Sequence, residues 1–124
     1  TLDIMRLELN GGTVQFLKSG AAQSFLFRDG GLKAIGGQAF PAGILAECTP
    51  DVSELKLFDG DVLLMTSDGV EDATAREILR CNGMNAQEIV TALGAKALAQ
   101  RTGGRRDDIT IIAAKIFLRD ENEE

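Results

Sequence analysis

Two groups of acidic residues stand where apolar, strand-like segments meet the surface. Asp68 follows the apolar run Val62–Met65, and Asp107-Asp108 directly precedes the last long run of β-branched and apolar residues. If both runs are strands of one sheet, the acidic groups lie at one rim of it. Carboxylates at strand ends are natural ligands for hard cations such as Mg²⁺ or Mn²⁺, and the glycine after Asp68 lets backbone and water approach closely. The spacing therefore indicates a candidate divalent-cation site.

Each acidic group also has a purely structural interpretation. An Asp-Gly pair after a strand commonly forms a turn, and turn formation alone would explain Asp68. Asp107-Asp108 would then mark a strand boundary, with one carboxylate paired to Arg105 or Arg106. Exposed ion pairs of that kind contribute only about 0–1 kcal/mol. The residues alone leave metal binding and turn formation both open.

Nucleophilic catalysis by a Ser-His-Asp or Cys-His arrangement is excluded within this chain. The sequence contains no histidine, so no serine or cysteine has an imidazole base. The serines of the chain are Ser19, Ser24, Ser53 and Ser67. Acid–base work must therefore fall to carboxylates or to metal-bound water.

Composition limits the class of protein. A chain of 124 residues with 44% hydrophobic and 26% charged residues can bury one core, which predicts a single compact domain or part of one. The net charge of −6, with no basic stretch longer than Arg105-Arg106, argues against nucleic acid as a partner. Cys48 and Cys81 are too few for a disulfide framework; as buried thiols they fit a reducing, cytoplasmic compartment.

No apolar run approaches the roughly 20 residues that span a bilayer, so we expect no membrane contact by this segment. The chain begins at Thr1, without an initiator methionine, and a strand-like pattern follows at once. We therefore expect it to be a piece of a longer protein.

The first half of the chain has the pattern of antiparallel strands joined by tight turns. Apolar and charged residues alternate over Met5–Leu9, and Asn10-Gly11-Gly12 supplies the positive φ angles that a hairpin needs. Val14 and Phe16 share one face of the next strand, and Phe25 and Phe27 share one face of a third. These strands predict an antiparallel meander, followed by an ordered loop at Phe40–Leu45.

The second half combines strands with helices. Glu54–Leu57 alternates as a strand does, while Val62–Met65 is apolar on both faces, as expected of a central strand covered from two sides. A short helix is predicted after Asp68, and a longer one begins at the capping box of Asn85 and Glu88. Ile109–Leu118 predicts a last strand. The class is α+β, with helices packed on antiparallel sheets.

Two motifs carry a resemblance to a known family. The string GDVLLMTSDGVEDA, Gly60–Ala73, resembles the GD-x-L-h-h-h-T/S-DG-h-x-E/D-A motif of PPM (PP2C-type) phosphatases, where h is apolar. Further on, RRDDITII, Arg105–Ile112, resembles the family's closing D-[DN]-h-T/S-h-h motif, and both order and separation fit. Thr1-Leu2-Asp3, Lys18-Ser19-Gly20 and Pro41-Ala42-Gly43-Ile44 are most similar to the bacterial stage II sporulation subgroup, SpoIIE.

The resemblance implies a metal-dependent protein serine/threonine phosphatase with a β-sandwich flanked by helices. In such enzymes two Mn²⁺ or Mg²⁺ ions at one end of the sandwich hold a water that attacks phosphorus, without a covalent enzyme intermediate. By resemblance, Asp68 and Asp107 would be ligands of one metal ion. Gly69, Glu71 and Asp108 also match motif positions, and they would support the ligands from outside or set the backbone conformation.

One part of the family pattern has no counterpart here. The family's early Asp-Gly motif, which supplies a carboxylate bridging both metals, would precede Thr1, so residues 1–118 resemble the C-terminal portion of the domain and 119–124 form a charged, frayed tail. Two carboxylates alone should bind a divalent ion weakly. We therefore expect little or no activity from this chain alone, and we expect its uncovered sheet edges to favour self-association.

The partner implied by the resemblance is a phosphoserine regulatory protein such as an anti-anti-sigma factor in sporulation. The phosphatase would work in the cytoplasm, and upstream regions of the parent protein could anchor it to a membrane. A second hypothesis is a non-catalytic PPM-like module that binds a protein partner, with Asp68 making only a turn. A third is a structural α+β domain with acidic turns.

Overall fold

The computed structural model describes residues 2–36, 51–70, 72–79, 83–100 and 108–119. In these ranges the elements are β1 (Leu2–Glu8), β2 (Thr13–Ser19), β3 (Ser24–Arg28), β4 (Gly31–Ile35), β5 (Asp51–Lys56), β6 (Val62–Thr66), α1 (Asp72–Leu79), α2 (Ala86–Ala99) and β7 (Ile111–Lys115). Strands β1, β2 and β5 form sheet A in the order β1-β2-β5, and sheet B has the order β4-β3-β6-β7. Every pairing is antiparallel.

Both predicted hairpins form, but the predicted meander is wrong. β1 pairs with β2, and β3 pairs with β4, yet β2 and β3 lie in different sheets. The chain crosses between the sheets over residues 20–23, beginning at Gly20, whose φ is +64°. The physical reason is burial, because each hairpin has an apolar face, and stacking the hairpins in two sheets covers those faces better than extending one sheet.

The core between the sheets confirms a β-sandwich. Val14 and Phe16 of sheet A pack with Leu26 and Leu63 of sheet B, and all four are buried. Burying a side chain of this size contributes about 1.5–3 kcal/mol. The alternating apolar side chains of β2 are therefore buried by the facing sheet.

A second core lies between sheet B and the helices. Phe25, Val62 and Leu64 pack against the buried residues of both helices. The helical residues of this cluster are Ala75, Ile78, Leu79, Ile89 and Leu93. Both faces of sheet B are thus covered, and the predicted central position of β6 is confirmed, since it lies between β3 and β7.

Helix α2 begins as its sequence predicts. The Glu88 N–H donates to Asn85 Oδ1 at 2.8 Å, and the Asn85 N–H donates to Glu88 Oε1 at 3.1 Å, which completes the capping box. The spacing of four residues buries Ile89, Leu93 and Ala97 on one face. The cap and the buried face together fix where this helix starts and how it lies on the sheet.

Some predictions concern residues outside the described ranges. These are the Phe40–Leu45 loop, the burial of Cys48 and Cys81, and the frayed tail beyond Arg119. The last strand is shorter than predicted, because only Ile111–Lys115 is regular strand. Neither described helix combines the length and apolarity that crossing a bilayer requires.

Candidate functional site

The pairing of β6 with β7 brings the two acidic motifs to one end of sheet B. Thr66 at the end of β6 pairs with Ile111 at the start of β7. Because the strands are antiparallel, Asp68 and Asp108 both leave the sheet at this rim. The neighbourhood expected from the sequence is therefore present in the backbone.

Ser67 fastens the two motifs together. Its N–H donates to the Thr110 carbonyl oxygen at 2.9 Å, and its Oγ accepts from the Thr110 N–H at 2.9 Å. The Ser67 hydroxyl also donates to the Asp108 carbonyl oxygen at 3.4 Å. A small hydroxyl residue before Asp68 therefore extends the β6–β7 ladder past the end of both strands, and it fixes the spacing between the acidic motifs.

Asp68 lies in a turn, as its Asp-Gly sequence predicts. The Val70 N–H donates to the Ser67 carbonyl oxygen at 3.2 Å, so Asp68 and Gly69 occupy the middle of the turn. The Asp68 side chain is exposed. Turn formation leaves its carboxylate accessible, so the structural interpretation and the metal-binding interpretation are compatible.

Asp68 borders an open cavity of about 450 Å³ that both sheets help to form. Asp3 comes from sheet A, and Ala21 and Ala22 come from the crossing between the sheets. The described lining comprises Asp3, Ala21, Ala22, Met65, Thr66, Ser67, Asp68, Thr110 and Ile112. The cavity thus lies at the end of the sandwich where β6 ends and β7 begins.

The described residues at the cavity suit a hard cation but complete only part of a site. Two carboxylates and several hydroxyls line it, and oxygen is the donor that Mg²⁺ and Mn²⁺ prefer. Within the described ranges, no three residues of the types His, Cys, Asp and Glu are grouped so that they could hold a metal ion. The donor chemistry therefore fits a hard cation, and a complete site would need further ligands.

The other predicted site residues are placed as follows. Asp108 is exposed and borders a second cavity, of about 530 Å³, between α2 and the segment leading into β7. Gly69 lies in the turn after β6. Asp107 and Glu71 lie outside the described residues. The structure therefore brings the backbones of the two motifs together, while the Asp68 and Asp108 side chains face different cavities.

Sequence reasoning assigned no role to Asp3 and Lys18, which the structure joins beside the cavity. The Lys18 ammonium donates to Asp3 Oδ1 at 2.7 Å and to the Ala22 carbonyl oxygen at 2.8 Å. The two residues face each other across β1 and β2. The available signal was the alternation of β2, in which Val14, Phe16 and Lys18 all point to the interior.

Asp61, from the same motif as Asp68, lies at the opposite end of β6. Its carboxylate is buried and accepts hydrogen bonds from Arg28 and from the Phe58 N–H. The hydrogen bonds with Asp61 raise the pKa of Arg28 above its usual value. This part of the motif is therefore structural, because it connects strands instead of facing the cavity.

The two-sheet sandwich, its helices and the acidic rim define a PP2C-type phosphatase fold. The chain is similar to the phosphatase domain of SpoIIE from Bacillus subtilis, in a form presoaked with manganese, with a TM-score of 0.79 and 28% identity. That likeness covers 97% of this chain and 57% of the other. Over residues 1–117 the chain matches the family model Stage II sporulation protein E (SpoIIE), and it belongs to that family.

Two further relatives extend the comparison. Stage II sporulation protein E of Priestia megaterium is 29% identical over 126 residues, which are 94% of this chain and 22% of the relative. This chain therefore spans about a fifth of the length of that relative. The catalytic domain of the serine/threonine phosphatase PstP, in complex with two manganese ions, shares the fold with a TM-score of 0.62 and 22% identity, over 92% of this chain and 57% of that domain.

Proposed function

We propose that this chain is the C-terminal portion of the catalytic domain of a metal-dependent protein serine/threonine phosphatase, with Asp68 as a ligand of a divalent cation. The observation that carries the proposal is the exposed Asp68 carboxylate at the cavity, on a turn that Ser67 fastens to the closing acidic motif. Membership of the SpoIIE family and the PP2C-type fold support it.

The residues of this chain would have distinct roles in the complete domain. Asp68 and Asp107 would bind one cation, while Gly69, Glu71 and Asp108 would support them. A bound divalent cation would supply a water of lowered pKa and would offset charge on the phosphoryl oxygens. Ser67 would hold Asp68 and the closing motif at a fixed separation. This division of roles needs no histidine, in agreement with the sequence.

We propose Mn²⁺ or Mg²⁺ as the cation, with a pair of such ions in the complete domain. The similar SpoIIE domain was presoaked with manganese, and the PstP domain is in complex with two manganese ions. We propose a phosphoserine regulatory protein, such as an anti-anti-sigma factor, as the substrate in the cytoplasm. Membership of a sporulation family supports that class of substrate.

The test replaces Asp68 by Asn in the parent protein and measures Mn²⁺-dependent hydrolysis of a phosphoserine protein. Loss of a ligand carboxylate should lower turnover at least about 100-fold, because the cation would then be held by fewer charged ligands. The matched control is Asp59→Asn, which makes the same change of charge in the turn before β6 and keeps an acceptor for the Leu118 N–H. Unchanged turnover in Asp68→Asn contradicts the assignment.

A second comparison separates the catalytic proposal from the binding-module alternative. This chain is assayed beside the parent protein. We expect the parent protein to hydrolyse the substrate and this chain not to, since the chain supplies only part of the metal site. If neither hydrolyses the substrate but both bind a protein partner, the module is the better interpretation.

We also propose that the chain alone self-associates. Among the described strands, β7 lies at the edge of sheet B, and it is followed by Phe117, which is 76% exposed. Ile112 and Leu118 are also exposed apolar residues in this region. Unpaired edges with apolar side chains favour pairing with another chain. Sedimentation should show dimers or larger species whose fraction rises with concentration, whereas a monomer at all concentrations contradicts this proposal.

A further inference from the structure

We propose that Asp3, held in place by the buried ammonium of Lys18, is a positioning residue that strengthens divalent-cation binding at the Asp68 cavity. This inference rests on the function proposed above and assigns a role to two residues outside the acidic motifs. It is carried by three observations: the burial of Lys18, the geometry of the ion pair, and the space that Gly36 leaves for the lysine stem.

The first observation is the burial of Lys18, whose side chain is only 2% exposed. The other inward residues of β2, Val14 and Phe16, are apolar and form the core. Burying an ammonium costs free energy unless it is paired, and an apolar residue at this position would avoid that cost. A core function alone therefore does not explain a lysine here.

The second observation is how the ion pair is oriented. Lys18 Nζ lies 2.7 Å from Asp3 Oδ1, and the Asp3 side chain is 20% exposed. Of the two residues, the described lining of the cavity includes Asp3 and not Lys18. The pair therefore presents its negative member to the cavity. The Asp3 carboxylate therefore adds an acidic oxygen donor to the cavity that Asp68 also borders.

The same lysine also fixes the neighbouring wall of the cavity. Its ammonium donates to the Ala22 carbonyl oxygen at 2.8 Å, and Ala22 is part of the lining. One side chain thereby locates a carboxylate from β1 and the backbone of the crossing between the sheets. Wall positions fixed in this way are what a metal site needs from the residues around its ligands.

The third observation is that Gly36 makes room for the lysine stem. A Cβ atom at Gly36 would lie 2.3 Å from Lys18 Cδ, which no real contact permits. The Gly36 carbonyl oxygen accepts a hydrogen bond from Gln23 Nε2 at 3.3 Å, so this backbone is itself tied to the crossing. The lysine therefore follows a defined path to the cavity wall.

The test measures Mn²⁺ binding to the parent protein from the loss of the free-ion EPR signal. Two variants are compared with the unchanged protein: Asp3→Asn, and the double variant Asp3→Asn with Lys18→Met. We expect Mn²⁺ affinity to fall about 10-fold in both, as for other residues that support metal ligands. Thermal stability should fall in the single variant, which leaves an unpaired ammonium, and recover in the double variant.

Matched measurements make the outcome decisive. Glu8→Gln removes a carboxylate from the exposed end of the same strand and should leave Mn²⁺ affinity unchanged. If the single and double variants both bind Mn²⁺ as tightly as the unchanged protein, the ion pair is only structural and the inference is overturned. If Asp68→Asn also leaves binding unchanged, the proposed function itself fails. If Asp3→Asn does not fold, the Mn²⁺ affinity of the double variant tests the inference, because that variant has no unpaired charge.

Discussion

Arg28 binds the buried carboxylate of Asp61 through two hydrogen bonds, at 2.8 Å from Nε and 2.7 Å from Nη2. Arg28 belongs to sheet B, and its Nη2 also donates to the carbonyl oxygen of Lys56 in sheet A at 2.9 Å. This interaction fastens the two sheets at the start of β6. The Lys18–Asp3 pair lies at the other end of the sandwich, beside the cavity. Among the described residues, an ion pair with one buried member therefore lies near each end of the sandwich.

Replacing Asp61 by Ala should lower the free energy of unfolding by about 3 kcal/mol. The change removes the buried carboxylate that accepts from the Phe58 N–H and the Arg28 guanidinium, and hydrogen bonds to a charged group contribute about 1.5–3 kcal/mol. Urea unfolding of the parent phosphatase domain measures this change in the free energy of unfolding. Asp29→Asn is the control, since Asp29 is exposed with φ +49° and asparagine tolerates that backbone. Equal effects of the two substitutions would contradict the prediction.

Replacing Gly36 by Ala should cost more stability than replacing Gly12 by Ala. Both glycines have positive φ, +74° and +65°, so both substitutions carry backbone strain of about 1–2 kcal/mol. Only Gly36 has the Lys18 stem in the space of the new Cβ, whereas nothing lies within 4 Å at Gly12. We expect a further loss of about 1–3 kcal/mol at Gly36. Thermal unfolding measures both variants, and equal losses would argue against the close packing of Lys18.

Replacing Ser67 by Ala should lower Mn²⁺-dependent turnover about 10-fold and stability by about 1 kcal/mol. The alanine removes the acceptor of the Thr110 N–H, so the two acidic motifs lose one of the hydrogen bonds that fix their separation. Turnover and urea unfolding are measured on the same preparation. Ser53→Ala, at a half-buried position on β5, is the control and should retain turnover. Full activity in Ser67→Ala would show that the motifs do not need this link.

Replacing Asn85 by Ala should lower stability by about 1 kcal/mol without affecting Mn²⁺ binding. The side chain of Asn85 satisfies the N–H of Glu88 at the start of α2, and that donor has no partner within the helix. Gln87→Ala provides the comparison, because Gln87 is exposed in the same turn and its side chain donates a hydrogen bond to the Thr91 hydroxyl. A loss as large in Gln87→Ala would mean that the cap contributes little.

The elements that sequence reasoning located correctly are those specified by local signals. The hairpin turns, the capping box at Asn85 and the doubly apolar run of β6 each depend on residues close together in the chain. The division of the strands into two sheets could not be predicted from such local signals. It depends on which apolar faces meet, and β2 pairs with β5 across the intervening β3–β4 hairpin.

In the candidate site, too, one residue could be predicted from a local motif and another could not. Asp68 was identified from its motif, and its rim position follows from the pairing of β6 with β7. Asp3 was overlooked because its place beside the cavity depends on Lys18 and on a cavity that both sheets build. A lysine at an inward position of an apolar strand was the one local anomaly that could have indicated it.

The pairing of β2 with β5 also constrains the order in which the chain can fold. The β1–β2 hairpin is complete by residue 19, but its second neighbour comes only with Asp51–Lys56, after both strands of the next hairpin. The described part of sheet A is therefore completed only after β5 has been synthesised, and closing this long loop should be a slow step of folding.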